Sequence, residues 1–197
     1  MPIWVKICGI RDVATAQAAC EAGANAIGLV FAESPRRVSI PQAREIVAAL
    51  PHSVETFAVV RGMNVDEIRA LLSEIEVDAL QIHCDDGMFP DFEFGVELVP
   101  AIPANFLSSY GAAGLKGRRF IVDSPFGAGT GKPWDFSEVA RLGGRMILAG
   151  GLDPGNVGRA IAQAKPWGVD VSSGVESKRG IKDAALIREF ITSARKA

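Results

Sequence analysis

The chain has 197 residues, 21 Lys and Arg against 23 Asp and Glu, a formal net charge of −2, and 48% hydrophobic residues. This is globular composition with apolar mass for a full core, which excludes disordered, collagenous and acidic-tail classes. The near-balanced charge gives no whole-protein field for nucleic acid or an anionic membrane, while a local phosphate pocket stays open.

Short β-branched runs alternate with helical patterns from one end to the other. The spacing predicts a strand over Val5–Cys8 and a helix over Val13–Ala22, then strand Ala26–Phe31 with helix Pro41–Leu50, and strand Val54–Val60 with helix Val65–Ile75. Strand Ala79–His83 precedes a weak helix over Phe89–Phe94, and strand Val96–Ile102 another weak one over Phe106–Ala113. The series ends with strands Arg119–Asp123, Met146–Ala149 and Val169–Ser172, each before a helix: Phe136–Leu142, Asn156–Ala164 and Ala184–Lys196. Asn64 with Glu67, Asp135 with Glu138, and Asp183 supply helix starts.

Strand–helix alternation argues for a parallel sheet covered by helices. The strands read as near-continuous apolar runs, as strands buried on both faces do. Eight units of about 25 residues sit at the short end of a (β/α)8 barrel. A doubly wound open sheet is the alternative; the barrel is preferred because the polar and glycine-rich sequence follows the strands. With no linker or composition shift, residues 1–197 are expected to form one barrel domain.

Cys8, Cys20 and Cys84 are odd in number and lack CxxC spacing, and Met1–Lys6 does not read as a signal peptide, so a reducing cytoplasm is expected. No apolar run approaches the ~18 residues of a membrane span. Two histidines, His52 and His83, argue against a multi-histidine metal site, and no metal is expected.

Side chains alternate along a strand, so Lys6 and Cys8 share a face. On an inward face, Cys8 stands at the barrel mouth, where catalytic groups collect. A neighbouring cation then makes its thiol a usable base or nucleophile near pH 7; the ordinary alternative is a small buried hydrophobe. Lys6 needs a partner there. Closure pairs the first and eighth strands, which predicts that Asp170 comes within salt-bridge range of Lys6. Asp123 closes the sixth strand before Ser124-Pro125, either as a turn former or as a mouth carboxyl whose pKa apolar neighbours raise until it can donate a proton.

Gly127-Ala128-Gly129-Thr130-Gly131-Lys132 lacks the Walker spacing. Together with Gly150-Gly151 after strand seven and Ser173-Gly174 after strand eight it suggests a phosphate cup, since barrels bind phosphate there. Tight βα turns alone also favour Gly and Ser. Arg36 or Arg37 can clamp a carboxylate. His83 follows Gln81 on one face, as a hydrogen-bonded structural residue or a catalyst.

In this order, Lys6-Ile7-Cys8-Gly9-Ile10, Gly28-Leu29-Val30-Phe31 with Ser34-Pro35-Arg36-Arg37-Val38, Leu80-Gln81-Ile82-His83, Gly129-Thr130-Gly131, Leu148-Ala149-Gly150-Gly151-Leu152 and Asp170-Val171-Ser172-Ser173-Gly174-Val175-Glu176 resemble the phosphoribosylanthranilate isomerases of tryptophan biosynthesis over essentially the whole chain. The resemblance implies a small (β/α)8 barrel without cofactor that performs an Amadori rearrangement on a small phosphorylated substrate, as monomer or homodimer, without nucleic acid or membrane. By motif, Cys8 matches the general base, Asp123 the general acid and Arg36, ahead of Arg37, the residue facing the anthranilate carboxylate. Gly129, Thr130, Gly131, Gly150, Gly151, Ser173 and Gly174 match the phosphate region; His83 and Asp170 join the substrate-binding set.

Two places depart from the pattern: Cys84 stands where Gly is common, and Arg61-Gly62-Met63 replaces a shorter turn, neither expected to touch the acid–base pair. The competing readings are the histidine-pathway Amadori isomerase, which has a carboxylate where Cys8 stands, and a non-catalytic phospho-ligand-binding barrel. Indole-glycerol-phosphate synthase would need a catalytic lysine and glutamates that find no place here.

Overall fold

Strand pairing closes on itself. In the computed structural model, which describes residues 2–84, 92–107, 115, 117–126, 134–140 and 142–197, β1 (Trp4–Cys8) pairs in parallel with β2 (Ala26–Val30). The ladder runs on through β3 (Glu55–Val60), β4 (Ala79–His83), β5 (Glu97–Pro103), β6 (Arg119–Asp123), β7 (Arg145–Leu148) and β8 (Gly168–Val171). β8 returns to β1 with Lys6 opposite Asp170. The chain is therefore a closed eight-stranded parallel barrel and not an open sheet.

The period-two alternation divides the apolar residues into two cores. Outward residues such as Ile7, Leu29, Val60, Leu80, Val122 and Val169 pack with Ile46, Ile68, Ile187 and Phe190 of the helical layer. Inward residues, among them Ala26, Phe57, Val59, Val99, Ile121 and Ile147, fill the barrel. At the N-terminal end of the strands Arg119 lies 5.6 Å from the Trp4 ring, 5.3 Å from Phe57 and 6.0 Å from Trp167. Its guanidinium is ion-paired to Glu55 and Glu97, each at 2.6 Å. Burial opposes that charge, but the two carboxylates outweigh it and hold the proton more firmly than usual. This stack is the barrel floor.

Five α-helices lie wholly within the described residues: α1 (Val13–Ala22), α2 (Ile40–Ala48), α3 (Val65–Glu74), α4 (Val157–Ala164) and α5 (Ala184–Arg195). Capping decides where several begin. Asn64 and Glu67 form a reciprocal capping box at α3, and Asp183 accepts from the N–H groups of Ala185 and Leu186 at α5. Asp12 caps α1 and Ser39 with Gln42 boxes α2, two starts that the sequence reading passed over. None of these helices is long and apolar enough to cross a membrane.

The helix expected over Phe136–Leu142 is a 3₁₀ turn over Phe136–Val139 only. Asp135 accepts from Ser137 N–H at 3.0 Å, which is turn chemistry, and Gly143 and Gly144, at φ +60° and +67°, then lead into β7. Of the weak helix over Phe89–Phe94, residues 92–94 are not helical and the rest lies outside the described residues. Of the one over Phe106–Ala113, a 3₁₀ turn covers Ala104–Phe106, Leu107 is α-helical, and 108–114 lie outside the described residues. One element was not anticipated: an antiparallel hairpin of β9 (Glu176–Lys178) and β10 (Ile181–Lys182) after β8.

Candidate active site

The C-terminal ends of the strands surround a cleft of about 280 Å³. Cys8 from β1, Asp123 from β6, Asp170 from β8 and His83 from β4 all line it, as do Arg36, Gly150, Gly151 and Ser173 from the loops. Gly129, Thr130 and Gly131 lie outside the described residues.

Cys8 stands above Lys6 on the inner face of β1. Lys6 is fully buried; its Nζ donates to Gln81 Oε1 at 2.8 Å and to Asp170 Oδ1 at 3.0 Å, and lies 5.3 Å from the Phe57 ring centre. Burial works against the ammonium, but Asp170 prevails and keeps it protonated. Burial also dominates at Cys8: it pushes the thiol up, against the pull of Lys6 and Lys182. The sequence predicts that a nearby cation brings this thiol into range near pH 7. Two cations are present, and desolvation outweighs them, so the resting group is a thiol. Room for it comes from Gly28 on β2, where a Cβ would stand 2.9 Å from Cys8 Sγ and 3.2 Å from Lys6 Cε.

Asp123 is buried at the end of β6. Burial pushes its carboxyl up to about 6; Asp170 adds to the shift, while Ser124 N–H, donated to Oδ1 at 2.7 Å, opposes it. Such a group holds its proton well into the neutral range, as a general acid must. Gly150, at φ +79°, lets the β7 loop approach: a Cβ there would lie 2.6 Å from Asp123 Oδ1 and would collide with the Ser124 backbone nitrogen. Gly174 plays the matching part in the β8 loop, since a Cβ would run into the Leu152 carbonyl. The two loops thus meet backbone to backbone, and Asn156 fastens the first by donating from Nδ2 to Gly151 O at 2.8 Å.

Arg36 was expected as a two-toothed carboxylate clamp. Two of its teeth are occupied: Nε and Nη2 donate to Glu176 Oε1 and Oε2 at 2.7 and 2.9 Å. Arg37 is exposed and does not line the cleft. Glu176 also accepts from Lys182 Nζ at 2.8 Å and Gly180 N–H at 3.0 Å. Burial would raise its pKa, yet these donors hold it down to about 2. Glu176 and Lys182 were missed from sequence as site residues. Glu176 stood in view in the β8 loop, but no local spacing ties it to an arginine 140 residues earlier.

His83 is half-buried, with its Nε2 3.4 Å from Gln81 Nε2, so Gln81 links it to Lys6. Arg61, expected to leave the acid–base pair untouched, lines the same cleft, and its charge works to lower the Asp123 carboxyl. Cys84 is buried, with its thiol 3.5 Å from Ile82 O.

Fold and site together define a (β/α)8-barrel enzyme with a thiol and a protonatable carboxyl facing one polar cleft. The profile of the N-(5'phosphoribosyl)anthranilate (PRA) isomerase family matches residues 5–193. A relative from Pseudomonas aeruginosa (strain UCBPP-PA14), N-(5'-phosphoribosyl)anthranilate isomerase, is 43% identical over 201 residues, covering 97% of this chain and 94% of its own. The structure of phosphoribosyl anthranilate isomerase from Thermotoga maritima superposes with a TM-score of 0.85 at 30% identity, covering 99% of this chain and 100% of its own. A phosphoribosyl anthranilate isomerase in complex with reduced 1-(o-carboxyphenylamino)-1-deoxyribulose 5-phosphate superposes with a TM-score of 0.82 at 28% identity, with the same coverage. The chain belongs to the N-(5'-phosphoribosyl)anthranilate isomerase family.

Proposed function

We propose that this protein converts N-(5'-phosphoribosyl)anthranilate to 1-(2-carboxyphenylamino)-1-deoxyribulose 5-phosphate, the third step of tryptophan biosynthesis from chorismate, with Asp123 as general acid and Cys8 as general base. The observation that carries the assignment of roles is that both groups reach one cleft from the ends of β1 and β6, with glycine loops between them. Asp123 gives its proton to the ribose ring oxygen, the C1'–O bond opens, and an iminium forms at the anthranilate nitrogen. Cys8 then takes the proton from the adjacent sugar carbon, and the electron pair flows to the nitrogen to give an enolamine, which tautomerises to the ketose. The iminium is itself the electron sink, so the chain's own residues supply the proton transfers. Phosphate held by the loops after β6, β7 and β8, and carboxylate held near Arg36, fix the sugar between acid and base, which is positional catalysis. Every group named belongs to one chain, so this reading serves a monomer or a homodimer. Three free cysteines support a cytoplasmic home.

The functional test follows the fluorescence of phosphoribosylanthranilate. Its decay on adding the protein supports the isomerase; an unchanged signal with tight product-analogue binding supports a ligand-binding barrel instead. Arg36→Ala is expected to act chiefly on KM, because it removes a contact held equally in ground and transition states; a fall in kcat at unchanged KM refutes its placement at the carboxylate.

The pH profile follows from the two shifts. The working form has Asp123 protonated and Cys8 ionised, although the carboxyl, at about 6, is the stronger acid of the two. The fraction in that form is constant between the two pKa values and falls on both sides. A bell-shaped kcat/KM is expected, with an acid limb near pH 6 and an alkaline limb above the ordinary thiol range. Asp123→Asn should remove the break near pH 6 and the alkaline fall, leaving a single rise that levels off only as the Cys8 thiol ionises; persistence of the break near pH 6 assigns it to another group.

A further inference from the structure

The Glu176 carboxylate binds two cations and a backbone amide at once, yet it comes from a hairpin outside the barrel. The Arg36 stem lies against Gly9, which is at φ +79°, since a Cβ there would stand 2.6 Å from Arg36 Cδ. Behind the ion pair, Lys182 Nζ donates to Ser172 O at 2.8 Å and Ser172 Oγ at 3.2 Å, next to Ser173 of the β8 loop. The hairpin also lies directly against the β2 loop, where a Cβ on Gly180 would stand 2.7 Å from Pro35 O, and the β1 loop holds it through Arg11 Nη1, which donates to Gly180 O at 3.5 Å.

Accordingly, we propose that Glu176 is a positioning residue: it holds Arg36 by its Nε–Nη2 edge, so that the remaining Nη1 edge is presented to the carboxylate of the substrate. The inference rests on the isomerase reading above and extends it to the group that orients the carboxylate reader. An arginine fixed beforehand binds without losing the freedom of a mobile side chain, a saving of up to about tenfold in affinity. Removing the Glu176 charge does not simply strengthen the cleft's pull on an anion. Lys182 is almost fully buried, burial already lowers its pKa, and it would lose its carboxylate. Its proton is then held less firmly still, which offsets part of the lost negative charge while Arg36 loses its orientation.

The test is steady-state kinetics of Glu176→Gln with N-(5'-phosphoribosyl)anthranilate and with the carboxylate-free N-(5'-phosphoribosyl)aniline, read by proton NMR. For the anthranilate substrate KM should rise up to about tenfold with kcat held within about threefold, and the aniline substrate should be little affected. In an Arg36→Ala background, Glu176→Gln should change KM no further. Arg36→Lys, which keeps the charge but cannot span both carboxylate oxygens, should reproduce the KM rise and serves if Glu176→Gln does not fold. An unchanged KM overturns the proposal, as do equal losses for both substrates in both backgrounds, which mark a purely structural role. Wild-type protein inert towards the anthranilate substrate overturns the functional reading and this inference with it; turnover by wild type with an unaltered variant KM overturns this inference alone.

Discussion

Cys8→Ser and Asp123→Asn should each lower kcat by about 10²–10⁴-fold, the usual contribution of a positioned acid or base. A serine hydroxyl in the Cys8 position keeps the shape and forfeits the acidity, because Lys6 and Lys182 cannot ionise an alcohol as they partly offset burial for a thiol. Asparagine at 123 keeps the hydrogen bond from Ser124 N–H and has no proton to give to a ring oxygen. Asp123→Asn carries a second signature that a mere loss of fold would not. The folded carboxyl titrates at about 6, above the ~3.9 of an unfolded chain, so folding favours its protonated form. That preference is fully satisfied below pH 4 and is lost as pH rises through 6. At pH 7 the ionised, buried carboxylate therefore costs up to about 2–3 kcal/mol, which the amide does not. Thermal melts should show the variant several degrees more stable than wild type at pH 7 and level with it at pH 4. Near-normal turnover in either variant, or a destabilised Asp123→Asn at pH 7, removes the residue from its assigned role.

Lys6→Met should be the most damaging change to stability. It strands the Asp170 carboxylate in the barrel and takes a donor from Gln81 Oε1. Removing one partner of a buried ion pair costs about 3–5 kcal/mol, which in a chain of this length lowers Tm by roughly 10 °C or more. Adding Asp170→Asn should recover much of that loss, because the stranded charge disappears with its partner. Urea denaturation of the single and double variants measures this; a loss under about 1 kcal/mol for Lys6→Met would show that Asp170 finds another partner.

The barrel was legible because each of its strands is an apolar run of strand length. The expected strands Val5–Cys8, Ala79–His83 and Arg119–Asp123 match β1, β4 and β6 to within a residue. Lys6 could be paired with Asp170 from topology alone, since closure leaves β8 nothing else to meet on that side. The stretch Phe136–Leu142 misled because its apolar spacing and its Asp-Phe-Ser-Glu start suit one turn of 3₁₀ helix as well as two turns of α-helix. The polar layer behind Arg36 was invisible for a different reason. Glu176, Lys182 and Arg36 meet only through tertiary closure, and each alone has the look of a solvated loop charge. The balance at Cys8 was equally hidden, because a sequence can name the cations near a thiol but not how much water has left it.

The floor built from Arg119, Trp4, Phe57 and Trp167 bears on traffic. A barrel plugged at one end offers no through-passage, so the ketose must depart by the same doorway that admits the aldose. Product lingering in that doorway blocks the next arrival, and accumulating ketose phosphate should therefore act as a competitive brake on turnover.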